Sequence, residues 1–222
     1  ALVVNGGLVS GTGKIGSGSG NAYLVLLSHS NSGYQGQLTG AGSVDFGGAR
    51  GYVLSGAGVN GVIGCGVNGY LIGSGGIAFY AMDNGGTILH RAQSYTGGTK
   101  VLGGTVELKG SGDHVGAFGP GVVEVLGGEY TGGSVRFNLA GATHSQDFRI
   151  SGFGARTDAK TGALDFRADT TLTGRITLEN DAMVCATAGN AGTFAKPIGG
   201  TGDLYLGGEG TLAVPGIDIA GD

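Results

Sequence analysis

Residues 72–108 read IGSGGIAFYAMDNGGTILHRAQSYTGGTKVLGGTVEL, a series of short apolar runs separated by glycine pairs and polar turn residues. Runs of this length, bounded by Gly, Asn, Asp and Ser, predict β-strands. Apolar and polar residues alternate in the segment 105–108, so we expect Val106 and Leu108 to point inward and Thr105 and Glu107 outward. The strands predicted along the chain are Ala22–Leu27, Gly51–Leu54, Thr87–His90, Thr99–Val101, Thr105–Leu108, Val122–Leu126, Ser134–Asn138, Ala163–Arg167, Ile176–Glu179 and Leu204–Leu206.

The composition excludes several classes of protein. Of 222 residues, 53 are Gly and 3 are Pro, with 40% hydrophobic and 13% charged residues. Collagen needs Gly at every third position with abundant Pro, and disordered chains have few apolar residues and high net charge. An ordinary enzyme contains roughly 7% Gly. Glycine at this density indicates many tight turns or close backbone contacts, which is typical of a repetitive chain.

Glycine-rich segments recur along the chain. The pattern Gly-x-Gly-x-apolar occurs at 40–44, 73–77 and 200–204, and each copy is followed after a short gap by a Gly and a strand-like run. The segment 95–101, YTGGTKV, is echoed 35 residues later by YTGGSVR. A repeat of 33 to 35 residues made of short strands cannot bury its apolar face alone, so we expect neighbouring repeats to stack.

These patterns predict an all-β fold, a single-stranded right-handed parallel β-helix (β-solenoid). With about 20 residues per coil, the chain makes roughly 10–11 coils, and the ~4.8 Å spacing of paired strands gives a rod about 50 Å long. An antiparallel sandwich or barrel is the competing architecture. We expect one domain over 1–222, with a nearly uncharged part at 1–80 and a charged part with the clearest repeats at 81–222.

The segment 72–108 resembles the autotransporter-associated β-strand repeat. Partial copies occur at 34–55, 123–137 and 198–214, while Tyr52 and Tyr205 depart from the motif and 56–70 follows no copy. The resemblance implies the passenger region of a secreted or cell-surface bacterial protein folded as a β-helix, and we expect no translocator barrel within these residues. The resemblance is carried by the segments Gly73-Ser-Gly-Gly-Ile77, Gly86-Thr-Ile-Leu89, Tyr95-Thr-Gly-Gly-Thr99 and Gly103-Gly-Thr-Val-Glu-Leu108.

The net charge and the cysteine content limit the classes of partner that the chain can bind. The net charge is −4 and no basic run occurs, which argues against nucleic acid. No apolar run is long enough for a membrane-spanning helix. Only Lys14, Asp45 and Arg50 are charged within 1–80, so this part is a candidate surface for packing against copies of itself or another protein. Cys65 and Cys185 are expected to be inward-facing thiols several coils apart, beyond disulfide reach.

No constellation of catalytic or metal-binding residues emerges from the sequence. His29, His90, His114 and His144 are scattered, and Asp113-His114 is the only acid–histidine neighbour pair. The densest acidic set is interleaved with arginines, which favours a charge-paired surface over a Ca²⁺ site. That set comprises Asp165, Asp169, Glu179 and Asp181, interleaved with Arg167 and Arg175.

Glycine-based motifs carry little information in this chain. Residues 199–203 approach a calcium-binding nonapeptide once, and 16–20 approach a serine nucleophile elbow out of register. We therefore assign no catalytic, cofactor-binding or metal residue and no cofactor.

Three functions remain open. We expect a non-catalytic extracellular structural protein: a stalk, an adhesin segment or a self-assembling fibre subunit that associates end to end or belongs to a longer rod. A host-surface or glycan ligand is possible. The alternatives are a polysaccharide-active β-helix enzyme, with Asp165 and Asp169 as its first candidates, and a glycan-binding module that uses exposed tyrosines.

Overall fold

The computed structural model describes residues 2–5, 8–10, 14–16, 21–27, 37–39, 43–48, 50–56, 65–81, 85–109, 116–128, 132–155 and 161–220. The secondary structure of these residues is entirely β-strand and turn, without a helix. The strands are β1 Leu2–Asn5, β2 Leu8–Ser10, β3 Lys14–Gly16, β4 Ala22–Leu27, β5 Gln37–Thr39, β6 Ser43–Asp45, β7 Gly51–Ser55, β8 Cys65–Val67, β9 Tyr70–Ile72, β10 Ile77–Ala81, β11 Gly86–Leu89, β12 Thr99–Lys109, β13 Val123–Val125, β14 Gly133–Asn138, β15 Ala142–His144, β16 Phe148–Gly152, β17 Leu164–Phe166, β18 Thr170–Leu172, β19 Ile176–Ala186, β20 Ala191–Phe194, β21 Ile198–Gly200, β22 Leu204–Gly208, β23 Thr211–Ala213 and β24 Ile217–Ile219.

The strands pair side by side in three parallel rows, here named A, B and C. Row A follows the order β1, β4, β7, β10, first half of β12, β13, β16, first half of β19, β21, β24. Row B follows β2, β5, β8, β11, second half of β12, β14, β17, second half of β19, β22. Row C comprises two separate sheets, β3, β6, β9 and, later in the chain, β15, β18, β20, β23, with no pairing between β9 and β15 among the described residues.

Parallel pairing is therefore the rule, as predicted, and the antiparallel sandwich is wrong for the described strands. The step between paired residues of row A varies: Ala22 pairs with Gly51, 29 residues later, and Ile198 pairs with Ile217, 19 residues later. The predicted repeat of 33 to 35 residues does not describe this stacking. Thr99 begins a row A strand, whereas its sequence echo Ser134 lies in row B.

The recurring Gly-x-Gly segments also lie in different rows. The strand after the first copy contains Val44 in row C, the second leads to Ile77 in row A, and the third leads to Leu204 in row B. The motif therefore marks a kind of bend that precedes strands of every row. It does not mark stacked positions.

Inward-facing side chains form one continuous apolar cluster. The predicted alternation in β12 is confirmed for Val106 and Leu108, which belong to that cluster. The expectation for Thr105 and Glu107 is only half right, because both lie outside the cluster yet are buried. In-register neighbours fill the core: one column of row A is Val53, Phe79, Val101, Val125, Ile150 and Leu178.

Glycine is required at the bends for two different reasons. Gly104, with φ +70°, lies where β12 passes from row A to row B, and a Cβ there would be 2.4 Å from that of Ala81. Gly174 has no positive φ, but its Cβ would lie 1.8 Å from the backbone oxygen of Gln146 in the neighbouring strand connection. The close approach of two backbones excludes a side chain there.

We predict that Gly174→Ala lowers the free energy of unfolding by about 1–3 kcal/mol, because the methyl group must push the two backbones apart. Gly128→Ala is the matched control, since no atom lies within 4 Å of its Cβ position. Urea denaturation followed by circular dichroism measures both variants. Equal stability of the two would contradict the backbone contact at Gly174.

Candidate functional site

Two of the four histidines lie among the described residues. His144 ends β15 in row C, is buried, and has its ring centroid 5.3 Å from that of Phe137. His90 follows β11 and is half-buried. His29 and the pair Asp113-His114 lie outside the described residues. Within the described part of the chain, no group of three or more His, Cys, Asp or Glu side chains is placed to hold a metal ion.

Burial shifts the pKa of two side chains. Loss of hydration lowers the pKa of His90 below its ordinary value of 6.5, an effect that a backbone hydrogen bond with Lys109 opposes. Burial also raises the pKa of Tyr95 well above its ordinary value. The Thr99 hydroxyl donates to the Phe118 carbonyl at 3.0 Å, so the Tyr95 hydroxyl donates to Thr99 Oγ1. Tyr95 is thus held as a neutral core residue.

The predicted acidic set is spread over the outside of the rows. Asp165 lies in row B, Asp169 between β17 and β18, and Glu179 and Asp181 in the exposed bend of β19. Their predicted pairing with arginine is confirmed for Asp165. Its carboxylate accepts from Arg136 Nε at 2.8 Å and from Arg167 Nε at 2.9 Å.

Asp165 is the most enclosed carboxylate of this network, with 1% of its side chain exposed. It stands in register with Arg136, which in turn stands in register with Glu107. Glu107 accepts a hydrogen bond from Asn138 Nδ2 at 2.6 Å. The outer face of row B therefore carries a ladder of alternating charge, and these carboxylates are engaged in contacts between strands.

Aspartates at the bends bind the backbone of the next strand connection. Asp147 Oδ1 accepts from the Arg175 N–H at 2.7 Å, before row A. Asp169 accepts from the Ala191 N–H at 2.7 Å, before row C, and Asp181 from the Asp203 N–H at 2.9 Å, before row B. Each of the three bends thus has one aspartate that fixes the next level of the stack, a role that the sequence analysis missed.

The outer face of row A changes character along its length. Tyr23 and Tyr52 are in register and stack with ring centroids 5.1 Å apart. Further along, Lys100 Nζ lies 2.6 Å from Glu124 Oε2, and Arg149 Nε lies 3.6 Å from Glu179 Oε1. The side chains on this face are thus aromatic at β4 and β7 and charged from β12 onward.

Two grooves open at the bend between rows C and A. The first, of about 300 Å³, is bordered by Arg50, Thr96, Lys100 and Glu124 over a glycine-rich floor. The second, of about 410 Å³, is bordered by Arg175, Lys196, Pro197 and Asp218. These cations could not be recognised as a site from the sequence, because their alignment depends on the variable step between paired strands.

The two cysteines are buried reduced thiols far apart in the rows. Cys65 belongs to the core cluster, as expected. The expectation of an inward position is wrong for Cys185, which alternates with the core residues Val184 and Ala186 and stands in register with Asp165.

The glycine-based motifs have structural roles where the structure describes them. Gly200 has φ +133°, and a Cβ there would lie 2.2 Å from the Leu178 carbonyl oxygen. The backbone N–H of Asp203 is bound by Asp181. Residues 17–20 of the candidate nucleophile elbow lie outside the described residues.

No family model, curated protein or solved structure matches the chain. Within the described residues there is no helix with the length and apolarity to cross a membrane.

We predict that Asp165→Asn destabilises the fold by about 1–3 kcal/mol, because two arginines lose their charged acceptor in a buried setting. Glu179→Gln, which removes a charge from an exposed pair, should change the free energy of unfolding by less than about 0.5 kcal/mol. Chemical denaturation at neutral pH compares them. Similar losses in both variants would show that the Asp165 network contributes no more than a surface pair.

His90 should make stability depend on pH. Its pKa is lower in the folded chain, so the unfolded chain binds more protons, and this contribution to stability is lost as the pH falls below about 6.5. His90→Gln should reduce the acid-induced drop in melting temperature between neutral and mildly acidic pH. An unchanged drop would contradict the burial of the imidazole.

Proposed function

We propose that rows A, B and C are the three faces of one right-handed parallel β-helix of about ten turns. The order of the strands supports this: the chain visits A, B and C in turn, apart from two circuits in which the described residues contain no row C strand, and the strands of rows A and B each pair with the strand of the same row one circuit later. Right-handedness follows from the strong preference of parallel strand crossovers for that hand. At the ~4.8 Å spacing of paired strands, the rod is about 50 Å long.

The function that this architecture supports best is a non-catalytic structural role at the bacterial cell surface or in the secreted space. The protein acts as a stalk, an adhesin segment or a fibre subunit, in the manner of an autotransporter passenger. The observation that carries the proposal is the use of chemically capable side chains in contacts between levels. Asp165, Asp169 and Asp181 all bind neighbouring strands or connections.

We propose that this rod associates end to end with further copies or belongs to a longer rod of the same chain. Leu206 and Ile217 occupy inward register positions, yet 54% and 57% of each is exposed, whereas their in-register neighbours Val184 and Ile198 are fully buried. The last described level thus has core positions and strand edges that a further level of strands would cover, whether that level belongs to a longer rod of the same chain or to a second copy. Such edges favour addition of further strands.

The distribution of charge indicates which segment of a second copy would pack against this level. After Lys196 the sequence contains only acidic charges, Asp203, Glu209, Asp218 and Asp222, while residues 1–44 contain a single charge, Lys14. Where a second copy supplies that level, its residues 1–44 fit better than its residues after Lys196, because two acidic segments would repel each other.

The polysaccharide-active enzyme remains the alternative in the catalytic class. It needs clustered carboxylates in one groove, but Asp165 is enclosed by two arginines and Asp169 binds a backbone N–H. The contacts of these two aspartates therefore favour the structural role over the catalytic one. Activity on acidic glycans that is lost on substituting Asp165 and Asp169 would support the enzyme.

We predict that the purified chain scatters X-rays as a rod about 50 Å long and grows in length with concentration. The double variant Leu206→Lys/Ile217→Lys should remain a monomer, because charges at core positions prevent stacking. Leu102→Lys, at a position with 38% exposure on the side of the rows, is the control and should associate like the wild type.

Sedimentation velocity provides the second measurement. A wild-type chain that remains a monodisperse monomer at high concentration contradicts end-to-end association. A compact, near-spherical scattering profile contradicts the rod itself. Surface exposure is tested separately by antibody labelling of intact and permeabilised cells of the parent organism. Labelling only after permeabilisation would contradict the proposed location.

A further inference from the structure

One edge of the stack carries arginines in the same structural position at two levels. Residues that immediately precede the row A strands are linked in series, because the carbonyl of each accepts a hydrogen bond from the first N–H of the row A strand one level earlier. The accepting carbonyls and their donors are Arg50 from Ala22, Gly76 from Gly51, Gly98 from Ile77, Val122 from Thr99, Asp147 from Val123, and Arg175 from Phe148. Arg50 and Arg175 therefore stand in register, five levels apart. At the strand spacing, this separation is about 24 Å.

Each arginine borders one of the two grooves, and the two grooves have matching charges. The first contains Arg50, Lys100 and Glu124, and the second contains Arg175, Lys196 and Asp218. In the first groove Lys100 is already paired with Glu124. Among the described residues, no ion pair engages the side chains of Arg50, Arg175 or Lys196, and all three are exposed.

The groove floors stay open because no side chain fits in them. A Cβ on Gly97 would lie 2.3 Å from the Gly76 nitrogen, and one on Gly200 would lie 2.2 Å from the Leu178 carbonyl oxygen. Hydroxyl groups stand beside the cations, Thr96 in the first groove and Thr177 in the second. Besides the carboxylates of Glu124 and Asp218, the linings thus offer cations, hydroxyls and backbone, and in each groove the two cations outnumber the one carboxylate. Cations, hydroxyls and backbone N–H groups are groups that bind hydroxylated anions.

We propose that this edge binds an acidic polysaccharide whose carboxylate or sulfate groups contact Arg50 in one groove and Arg175 with Lys196 in the other. A small anion gains a single exposed contact, which is weak. A polymer that spans both grooves makes the second contact intramolecular and gains affinity through effective concentration.

Other macromolecules fit this edge less well. A protein partner needs buried aromatic or aliphatic anchors, and the groove linings are dominated by glycine, hydroxyl and charged residues. Single-stranded nucleic acid needs aromatic platforms for its bases, which neither groove lining contains. The site depends on the register of row A and is independent of the rod's location or self-association.

The test is isothermal titration of the full chain with polygalacturonate, a carboxylate polymer, and with dextran sulfate, a sulfate polymer. Galacturonate monomer and uncharged dextran are the controls for length and charge. We expect binding of at least one acidic polymer, no measurable binding of the monomer or of dextran, and weakening by added salt. The polymer that binds identifies the anion.

Substitutions of the two arginines test whether the polymer binds at this edge. Arg50→Gln and Arg175→Gln should each weaken polymer binding about tenfold, because each leaves a single groove engaged. The double variant should abolish binding. Arg91→Gln is the control for charge, since Arg91 lies beside Tyr70 outside both groove linings and should leave affinity unchanged. Thermal melting of every variant verifies folding.

Three outcomes would overturn the proposal: no binding of either acidic polymer, equal loss of affinity in Arg91→Gln and in the double variant, or equally tight binding of single-stranded DNA. The last would indicate general attraction of polyanions without recognition of a glycan.

Discussion

The parallel hydrogen-bonded register between successive levels constrains every other feature of this protein. A residue inside a row has in-register neighbours about 4.8 Å away on both adjacent strands, so the side chains along a column must be chemically compatible. Columns of row A are apolar inside, where Val53, Phe79 and Val101 follow one another. Outside, like charges on adjacent levels would repel, and the row B series Glu107, Arg136, Asp165 alternates in sign.

The same constraint explains how polar groups are used at the bends. A bend leaves backbone N–H groups that the strand ladder cannot satisfy, and one aspartate at each of the three bends accepts such a hydrogen at the next level. A carboxylate in this role adds stability and fixes the height of the following strand. This explains why acidic residues that looked like a cluster in the sequence are distributed around the stack.

Local structure could be predicted from the sequence because strand signals are local. The prediction of Ala22–Leu27 agrees with β4 at both ends, and Ser134–Asn138 differs from β14 by one residue. Stacking could not be predicted, because a step of 19 to 29 residues between levels breaks any fixed period. The grooves share this limit, because the placement of Arg50 and Arg175 on one edge, five levels apart, can be derived only when every intervening step is known.

The glycine bends determine the shape of the protein surface as well as the path of the chain. Two backbones lie close together at Gly97 and Gly76, so no side chain fits between them. The first groove opens at this place. At the first groove Arg50 is exposed to solvent, whereas Lys100 is paired with its in-register neighbour Glu124. For the acidic polysaccharide that we propose as the ligand of this edge, the separation of about 24 Å between Arg50 and Arg175 sets the spacing of charges that the polymer must have.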